Sequence, residues 1–161
     1  MKIYILGSVG SGKTTLARKL SSDLNISYYE LDNVVYEYNP NGDRKRTEEE
    51  INYLFKEILN QDNWIIENVG RSYFDKGYEE ADTIIYLKLK RLTLYKRVIL
   101  RWIKQNLKIE KTTYKTDLQM LKQMLIWVEK ELNDSKLNKL EKYMDKVVIL
   151  NEKILRKYKY E

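Results

Sequence analysis

The sequence predicts an α/β fold in which helices cover both faces of a parallel sheet. Five short apolar segments are spaced along the 161 residues, and several are rich in isoleucine or valine, which is typical of strands buried on both faces. Helical stretches separate them, and right-handed crossovers then make the sheet parallel. At this length we expect a single domain, residues 1–161, with one core.

The expected strands are Lys2–Leu6, Ile26–Leu31, Trp64–Glu67, Thr83–Leu87 and Val147–Leu150. The helices are predicted at Thr14–Leu24, Thr47–Asn60, Leu92–Asn106, Thr116–Leu132 and Ser135–Met144. The second helix begins at a capping box, Thr47 with Glu50, after a turn around Pro40. The fourth is predicted to pack in the core through Leu118, Leu121, Leu125, Val128 and Leu132, and also through Met124 and Trp127.

The composition excludes several kinds of site. The chain contains no cysteine and no histidine, which excludes a disulfide framework, a thiolate nucleophile and the commonest general base. Acid–base chemistry must use Asp, Glu, Lys or Tyr, and metals are limited to oxygen-preferring ions such as Mg²⁺. No apolar run suits a membrane helix or a signal peptide, so we expect a cytoplasmic protein without membrane contact.

The chain is basic, with a net charge of +6 and a pI of about 9.2. This balance favours a polyanionic partner, which can be nucleic acid, an anionic membrane or a small phosphorylated substrate. The sign of the charge does not choose among them, and a lysine-rich solvated surface explains much of the excess.

The segment GSVGSGKT, Gly7–Thr14, carries the most specific signal. It satisfies G-x-x-x-x-G-K-[ST] between a predicted strand and a predicted helix, which is the context of a phosphate-binding P-loop. Lys13 is expected to reach the β- and γ-phosphates of a nucleotide, and the Thr14 hydroxyl to hold Mg²⁺. The predicted phosphate-binding residues are Gly7, Ser8, Gly10, Ser11, Gly12, Lys13, Thr14 and Thr15.

A P-loop alone does not distinguish a kinase from an ATPase or a GTPase. The guanine signature Asn-Lys-x-Asp does not occur in the sequence, and motor ATPases need longer chains. The small size of the chain therefore favours a phosphotransferase.

Two predicted strands end in residues suited to an acceptor site. Asp32 follows the second strand, at the edge where ligands of such sheets bind, and could orient or deprotonate an acceptor hydroxyl. A monophosphate acceptor would need no such base, and a helix N-cap is the structural alternative for Asp32. Glu67 ends the third strand and is the candidate for holding Mg²⁺ through a water, while Arg71 could grip the acceptor or the transferred phosphate. A strand-end glutamate and a surface arginine without a role in the site are the alternative. Arg44 and Arg46 are further candidates for an anionic acceptor.

The predicted helix that begins at Leu92 is basic on one side. Its cationic stripe is Arg97, Arg101, Lys104 and Lys108, opposite an apolar stripe of Leu92, Tyr95, Ile99, Trp102 and Ile103. Closing over a phosphate, the cationic stripe would neutralise transition-state charge, with Arg97 and Arg101 as the preferred pair. A solvated basic face is the alternative.

These residues together resemble the small P-loop kinases of the adenylate kinase, shikimate kinase and gluconate kinase group. Four runs resemble more closely the proteins labelled DNA topology modulation protein: KIYILGSVGSGKTTLARKL, YYELDNVVYEYNPNGDRKR, NWIIENVGRSYF and RVILRWIKQNLKIEK. The resemblance spans nearly the whole chain.

This resemblance implies a three-layer P-loop fold with the sheet order 2-3-1-4-5, and use of ATP and Mg²⁺. It also implies a short helical lid around residues 91–115 that carries Arg97 and Arg101. A loop after the last strand, Asn151, Glu152 and Lys153, would help to form an adenine pocket. Adenylate kinases carry Asp-Gly-x-Pro-Arg where this chain has ENVGRS, so Arg71 keeps a comparable place and Glu67 replaces the aspartate.

Three functional hypotheses follow. The first is an ATP- and Mg²⁺-dependent phosphotransferase that acts on a small, anionic acceptor such as a nucleotide. The second is a nucleic-acid-associated regulatory ATPase, which the family label and the basic charge favour, although the sequence shows no helix-turn-helix or zinc-finger pattern. The third is a nucleotide-binding protein with little catalysis.

Overall fold

The structure is a computed structural model that describes residues 1–39, 42–110, 112, 116–133 and 136–157, with the backbone alone for 133, 156 and 157. Among these residues the strands are β1 (Lys2–Gly7), β2 (Tyr28–Glu30), β3 (Tyr36–Glu37), β4 (Arg44–Lys45), β5 (Trp64–Asn68), β6 (Thr83–Leu87) and β7 (Val147–Leu150). The helices are α1 (Lys13–Leu24), α2 (Leu31–Val35), α3 (Glu48–Leu59), α4 (Lys76–Glu80), α5 (Arg91–Asn106), α6 (Leu118–Asn133), α7 (Lys136–Leu140) and α8 (Glu152–Lys157). Two 3₁₀ segments lie at Ser72–Phe74 and Glu141–Lys146.

Five of these strands form a parallel sheet in the order β2-β5-β1-β6-β7. This confirms the α/β fold with a five-stranded parallel sheet. The predicted order 2-3-1-4-5 counted five strands only. The structure adds β3 and β4, a short antiparallel pair outside the sheet, so the numbers along the sheet differ from the predicted ones. Strands of two residues are too short to show an apolar period, and the prediction therefore missed this pair.

The central strand β1 is buried on both faces because its side chains alternate between two hydrophobic clusters. Tyr4 and Leu6 contribute to one cluster, together with residues of α2, α3 and α4. Ile3 and Ile5 contribute to the other, together with residues of α1, α5, α6 and α8. The sheet therefore lies between two helical layers. Among the described residues, every helix is too short or too polar to cross a bilayer.

Helix α3 confirms the predicted capping box. The Thr47 hydroxyl accepts a hydrogen bond from the Glu50 amide at 3.2 Å, and the Glu50 carboxylate accepts one from the Thr47 amide at 2.9 Å. The apolar face buries Ile51 and Phe55 against the sheet. Capping fixes the start of the helix, and Asn60 follows its last residue as predicted.

The end of β2 differs from the prediction, because Leu31 begins α2 instead of ending the strand. Leu31, Val34 and Val35 are spaced as on one face of a helix and are all buried, so helical packing overrides the strand pattern. Asp32 consequently lies in the first turn of α2. Pro40, in the predicted turn, and Ser135, the predicted start of the last helix, lie outside the described residues.

The residues that helix α5 buries do not belong to the apolar stripe opposite its cationic one. Leu94, Val98 and Gln105 are buried, whereas Leu92 is 80% exposed and Ile99 is also exposed. The helix carries two apolar arcs, and contact of Val98 and Arg97 with the P-loop selects the arc that includes Leu94. Periodicity alone cannot make this choice because both arcs satisfy it.

Helix α6 confirms the predicted core stripe only in part. Val128 and Met124 are buried in the cluster that faces α1, and Leu121, Leu125 and Leu132 pack partly against it. Leu118 is 71% exposed and Trp127 is also exposed, so the prediction was wrong for these two. Leu118 is the first residue of the helix, and the residues that α6 buries lie further along it.

Gly77 in α4 allows this helix to pack closely on β1. A Cβ at this position would lie 2.4 Å from Tyr4 Cε2, and Tyr4 is fully buried. We expect Gly77→Ala to destabilise the fold by about 1–2 kcal/mol, because overpacking of about 1–3 kcal/mol exceeds the gain of up to about 1 kcal/mol in helix propensity. Urea denaturation measures this change.

Lys76→Ala is the matched control because Lys76 is exposed in the same helix. Its effect on the free energy of unfolding should stay within about 0.5 kcal/mol. A Gly77→Ala protein as stable as the wild type would show that the Tyr4 ring yields readily, contrary to a tightly packed contact.

Candidate phosphate-transfer site

The P-loop connects β1 to α1 with a backbone that depends on glycine. Gly10 and Gly12 have φ angles of 74° and 96°, in the left-handed region that side chains disfavour. The Ser11 amide donates to the Ser8 carbonyl at 3.1 Å, which closes the turn. Gly12 is the N-cap residue of α1 and provides no side-chain cap, so the amides of the first helical turn are available to an anion.

Lys13 folds back into this loop instead of extending into solvent. Its ammonium donates to the Ser8 carbonyl at 3.1 Å and lies 3.8 Å from the Glu67 carboxylate. Ser8, Ser11 and Lys13 are buried, whereas Thr15 is exposed. The loop therefore holds a buried cation at the carboxyl end of the sheet, which attracts phosphate.

Glu67 is the buried acid of the site. Thr14 Oγ1 donates to Glu67 Oε1 at 3.1 Å, while Oε2 is buried without a hydrogen-bond partner among the described residues. Burial raises the pKa of Glu67 above its usual value, and the nearby Lys13 charge opposes this rise. The carboxylate and the hydroxyl are hard oxygen donors, and an unpaired buried oxygen suits the hydration shell of Mg²⁺. These residues fit a magnesium site that a ligand's phosphates would complete.

Asp32 and Arg71 form an ion pair between two neighbouring strand ends. Arg71 Nη1 donates to Asp32 Oδ1, and the side chains are 29% and 49% exposed, respectively. The Asn68 side chain accepts from the Arg71 amide at 3.4 Å, which anchors the loop after β5. A half-buried anion and a half-buried cation therefore lie next to each other at the sheet edge that also carries Glu67.

The two predicted lid arginines have different surroundings. Arg97 Nη1 donates to the Ser11 carbonyl at 2.7 Å and to the Gly10 carbonyl at 3.5 Å. Burial against the loop lowers the pKa of Arg97, and the charge of Glu152 opposes this change. Arg101 is exposed and its Nε lies 3.6 Å from the Glu110 carboxylate. The structure thus brings Arg97 to the P-loop, whereas Arg101 pairs with a residue beyond the end of α5.

Arg44 and Arg46 support the scaffold around the β3–β4 pair. Arg46 Nη1 donates to the carbonyls of Asn33, Val34 and Tyr36 at 2.6, 3.3 and 3.0 Å, respectively. These contacts satisfy carbonyls at the end of α2. Arg44 binds the carboxylates of Glu37 and Glu50. Both guanidinium groups therefore already have partners within the chain.

The segment after β7 lies beside the start of α5. Asn151 Oδ1 accepts from the amides of Lys153 and Ile154 at 3.0 and 3.2 Å, which caps α8. Glu152 Oε1 accepts from the Lys90 amide at 2.5 Å, and this bond lowers the pKa of Glu152. The loop predicted to border an adenine is thus held against the helix that carries Arg97.

Sequence reasoning missed Glu131 and Lys136 near the P-loop. The Val9 amide donates to the Glu131 carboxylate at 2.9 Å, and Lys136 is buried beside it. A signal was available, because Glu131 follows the buried residues Met124 and Val128 at helical spacing. A carboxylate on a buried helix face rarely occurs without a partner.

We expect the wild-type protein to lose stability relative to Glu67→Gln as the pH rises from about 4.3, the usual pKa of glutamate. Between this value and the raised pKa, the unfolded chain releases the Glu67 proton while the folded protein retains it. Ionisation therefore favours unfolding in this range. The test is the difference in the free energy of unfolding between the wild type and Glu67→Gln, measured with urea from about pH 4 to pH 8 without metal. Its change with pH gives the direction of the pKa shift of Glu67.

Glu50→Gln is the control because the pKa of Glu50 is shifted in the opposite direction to that of Glu67. Arg44 and the Thr47 amide lower the pKa of Glu50 to about 2. Its contribution is therefore present above the usual pKa and is lost only as the pH falls toward about 2. Above the usual pKa the Glu50→Gln difference should be flat. A wild-type protein that gains stability over Glu67→Gln as the pH rises would show that Glu67 is not a desolvated acid.

Comparison with known proteins identifies the fold. The shikimate kinase from Acinetobacter baumannii, solved in complex with shikimate, is similar with a TM-score of 0.58 and 15% identity over 98% of this chain and 87% of that one. The gluconokinase from Sinorhizobium meliloti 1021 is similar with a TM-score of 0.52 and 15% identity over 93% of this chain and 81% of that one. No curated protein matches the sequence.

The amino-acid sequence, and not the likeness to these two structures, shows to which family the chain belongs. A family model described as AAA domain matches residues 3–119, which include the P-loop, Asp32, Glu67, Arg71 and all of α5. The match covers well over half of the 161 residues, and the chain therefore belongs to the AAA domain family.

Proposed function

We propose that this protein is an ATP- and Mg²⁺-dependent phosphotransferase that acts on a small, anionic acceptor. The observation that carries the proposal is the buried cluster of Lys13, Thr14 and Glu67 at the base of a glycine-rich loop. The fold likeness to a shikimate kinase and a gluconokinase supports a kinase in particular. The P-loop supports ATP as the phosphate donor, and the guanine signature is missing.

On the donor side, the loop amides and the ammonium of Lys13 bind the phosphates. The loop residues are Gly7, Ser8, Gly10, Ser11 and Gly12, followed by Thr14 and Thr15 of α1. Because Lys13 is already buried, little side-chain freedom is lost when a phosphate replaces the Ser8 carbonyl as its partner. The segment Asn151, Glu152 and Lys153 borders the adenine in this proposal.

Thr14 and Glu67 hold the magnesium ion, Thr14 through its hydroxyl and Glu67 through a water. When bound, the ion neutralises charge on the transferred phosphoryl group and fixes its orientation. Among the described residues, no group of three or more acidic side chains is placed so that it could hold a metal ion by itself. The proposal therefore assigns the remaining metal ligands to phosphate oxygens and water.

On the acceptor side, Asp32 and Arg71 act together. Arg71 is assigned to the anionic group of the acceptor, with Arg46 as a second candidate if its carbonyl contacts rearrange. An acceptor oxygen attacks the γ-phosphorus, the bond from this phosphorus to the bridging oxygen breaks, and ADP leaves. If the acceptor is an alcohol, Asp32 takes its proton; if it is a monophosphate, no base is needed.

The lid in this proposal is the segment 91–115, of which residues 111 and 113–115 lie outside the described residues. Arg97 is the lid arginine with the stronger support because it already contacts the Ser11 carbonyl. Arg101 would need to leave Glu110 to reach a phosphate. Both residues then neutralise charge in the transition state.

Among the described residues, no specific observation favours the alternative of a DNA-associated ATPase. It therefore serves as an outcome of the experiment that tests the kinase proposal.

We expect one acceptor to stimulate ADP release from Mg·ATP in a screen of nucleoside monophosphates, nucleosides and small hydroxy acids. Lys13→Ala should lower kcat by about 10²–10³-fold, as expected when a preorganised donor to the transferred phosphate is lost. Coupled detection of ADP measures both effects.

Lys56→Ala is the control because Lys56 is exposed on α3, and this variant should retain wild-type activity. ATP binding without stimulation by any acceptor would contradict a phosphotransferase. DNA would then be tested as the ligand that stimulates hydrolysis.

A further inference from the structure

A buried lysine outside the proposed machinery connects two of its loops. Lys136 is the first residue of α7, and its side chain is only 3% exposed. Its ammonium donates to the Val69 carbonyl at 2.7 Å and lies 3.4 Å from Glu131 Oε2. A buried ammonium that loses its partners strongly destabilises the folded state, so these contacts must be kept in the folded protein.

The same Glu131 oxygen also binds the P-loop. It accepts from the Val9 amide at 2.9 Å, so one carboxylate oxygen joins the loop to Lys136. Glu131 lies in the last turn of α6, which places this contact at the end of the helix that packs on α5. A backbone amide bonded to a charged acceptor is held more firmly than one bonded to a neutral group.

On its other side, Lys136 holds the loop after β5. Val69 directly follows β5 and lies two residues before Arg71, the residue assigned to the acceptor. A Cβ on the intervening Gly70 would lie 3.3 Å from Lys136 Cε and 3.5 Å from Leu6 Cδ1. The loop backbone therefore lies directly on the lysine stem, with little space between them.

We propose that Lys136 and Glu131 are positioning residues that fix the P-loop relative to the loop that carries Arg71. The proposal rests on the proposed function, because it concerns the alignment of phosphate donor and acceptor. Neither residue touches the reacting atoms. Lys136 acts through Glu131 on Val9 and through Val69 on Arg71. Misalignment of reacting groups by about 1 Å can reduce a rate by about 10²-fold.

Lys136→Met is the direct test, because it keeps an unbranched stem and removes the ammonium. We expect kcat to fall by about 10–100-fold, with a smaller change in the KM for ATP, since the phosphate contacts remain while their alignment is lost. In the ligand-free protein, hydrogen exchange of the Val9 amide should become about tenfold faster, because Glu131 loses the cation that orients it.

Two further variants separate positioning from stability. Lys139→Met is the matched control, since Lys139 lies in the same helix and forms an exposed ion pair with Asp75; it should leave both measurements unchanged. Glu131→Ala should accelerate exchange at Val9 like Lys136→Met. Glu131→Gln keeps an oxygen acceptor for the amide and should have a smaller effect than Glu131→Ala.

The inference is overturned if the folded Lys136→Met and Glu131→Ala proteins show wild-type hydrogen exchange at the Val9 amide. It is also overturned if their kcat falls no further than that of Lys139→Met. If both variants lose cooperative unfolding, the pair serves stability alone, and the inference is also overturned. Amide exchange needs no substrate. A wild-type protein that phosphorylates no acceptor would therefore defeat the proposed function while the link between the loops is still measured.

Discussion

The contact of α1 with β5 through Thr14, Lys13 and Glu67 is the constraint on which the rest of the site depends. It exists because β1 and β5 are parallel and in a register that pairs Ile5 with Glu67. In this register, Glu67 reaches the start of α1 immediately beyond the glycine-rich turn. A slip of one residue would turn Glu67 to the other face of the sheet and remove the contact. The sheet register thus determines the chemistry available at its edge.

The same contact is electrostatically costly without a ligand. Glu67 is desolvated enough for its pKa to rise, and one of its oxygens has no hydrogen-bond partner among the described residues. Lys13 offsets part of this cost but lies 3.8 Å away, beyond hydrogen-bond distance. A cation with its hydration shell would satisfy the free oxygen, and phosphates would satisfy Lys13. The site is therefore arranged for ligands that supply partners to the Glu67 oxygen and to the Lys13 ammonium. This is the physical basis of the proposed function.

The sequence predicted the features that depend on short-range rules. The P-loop lies between β1 and α1 as its spacing indicated, and the Thr47 capping box forms. Features that depend on long-range packing were missed or wrong. The buried arc of α5 could not be predicted because two arcs satisfied one period, and the predicted burial of Leu118 was wrong because periodicity does not show where a helix reaches the core. Lys136 escaped notice because nothing local distinguishes a buried lysine from the many exposed ones.

The most direct test of the central claim is calorimetric titration of ATP into the wild-type protein and into Glu67→Gln, each with Mg²⁺ and with EDTA. We expect Mg²⁺ to strengthen ATP binding to the wild type by about tenfold or more, equivalent to about 1.4 kcal/mol, and Glu67→Gln to lose most of this gain. Equal magnesium dependence in the two proteins would contradict a role for Glu67 in the metal site. The Lys13, Thr14 and Glu67 cluster would then be a structural contact only.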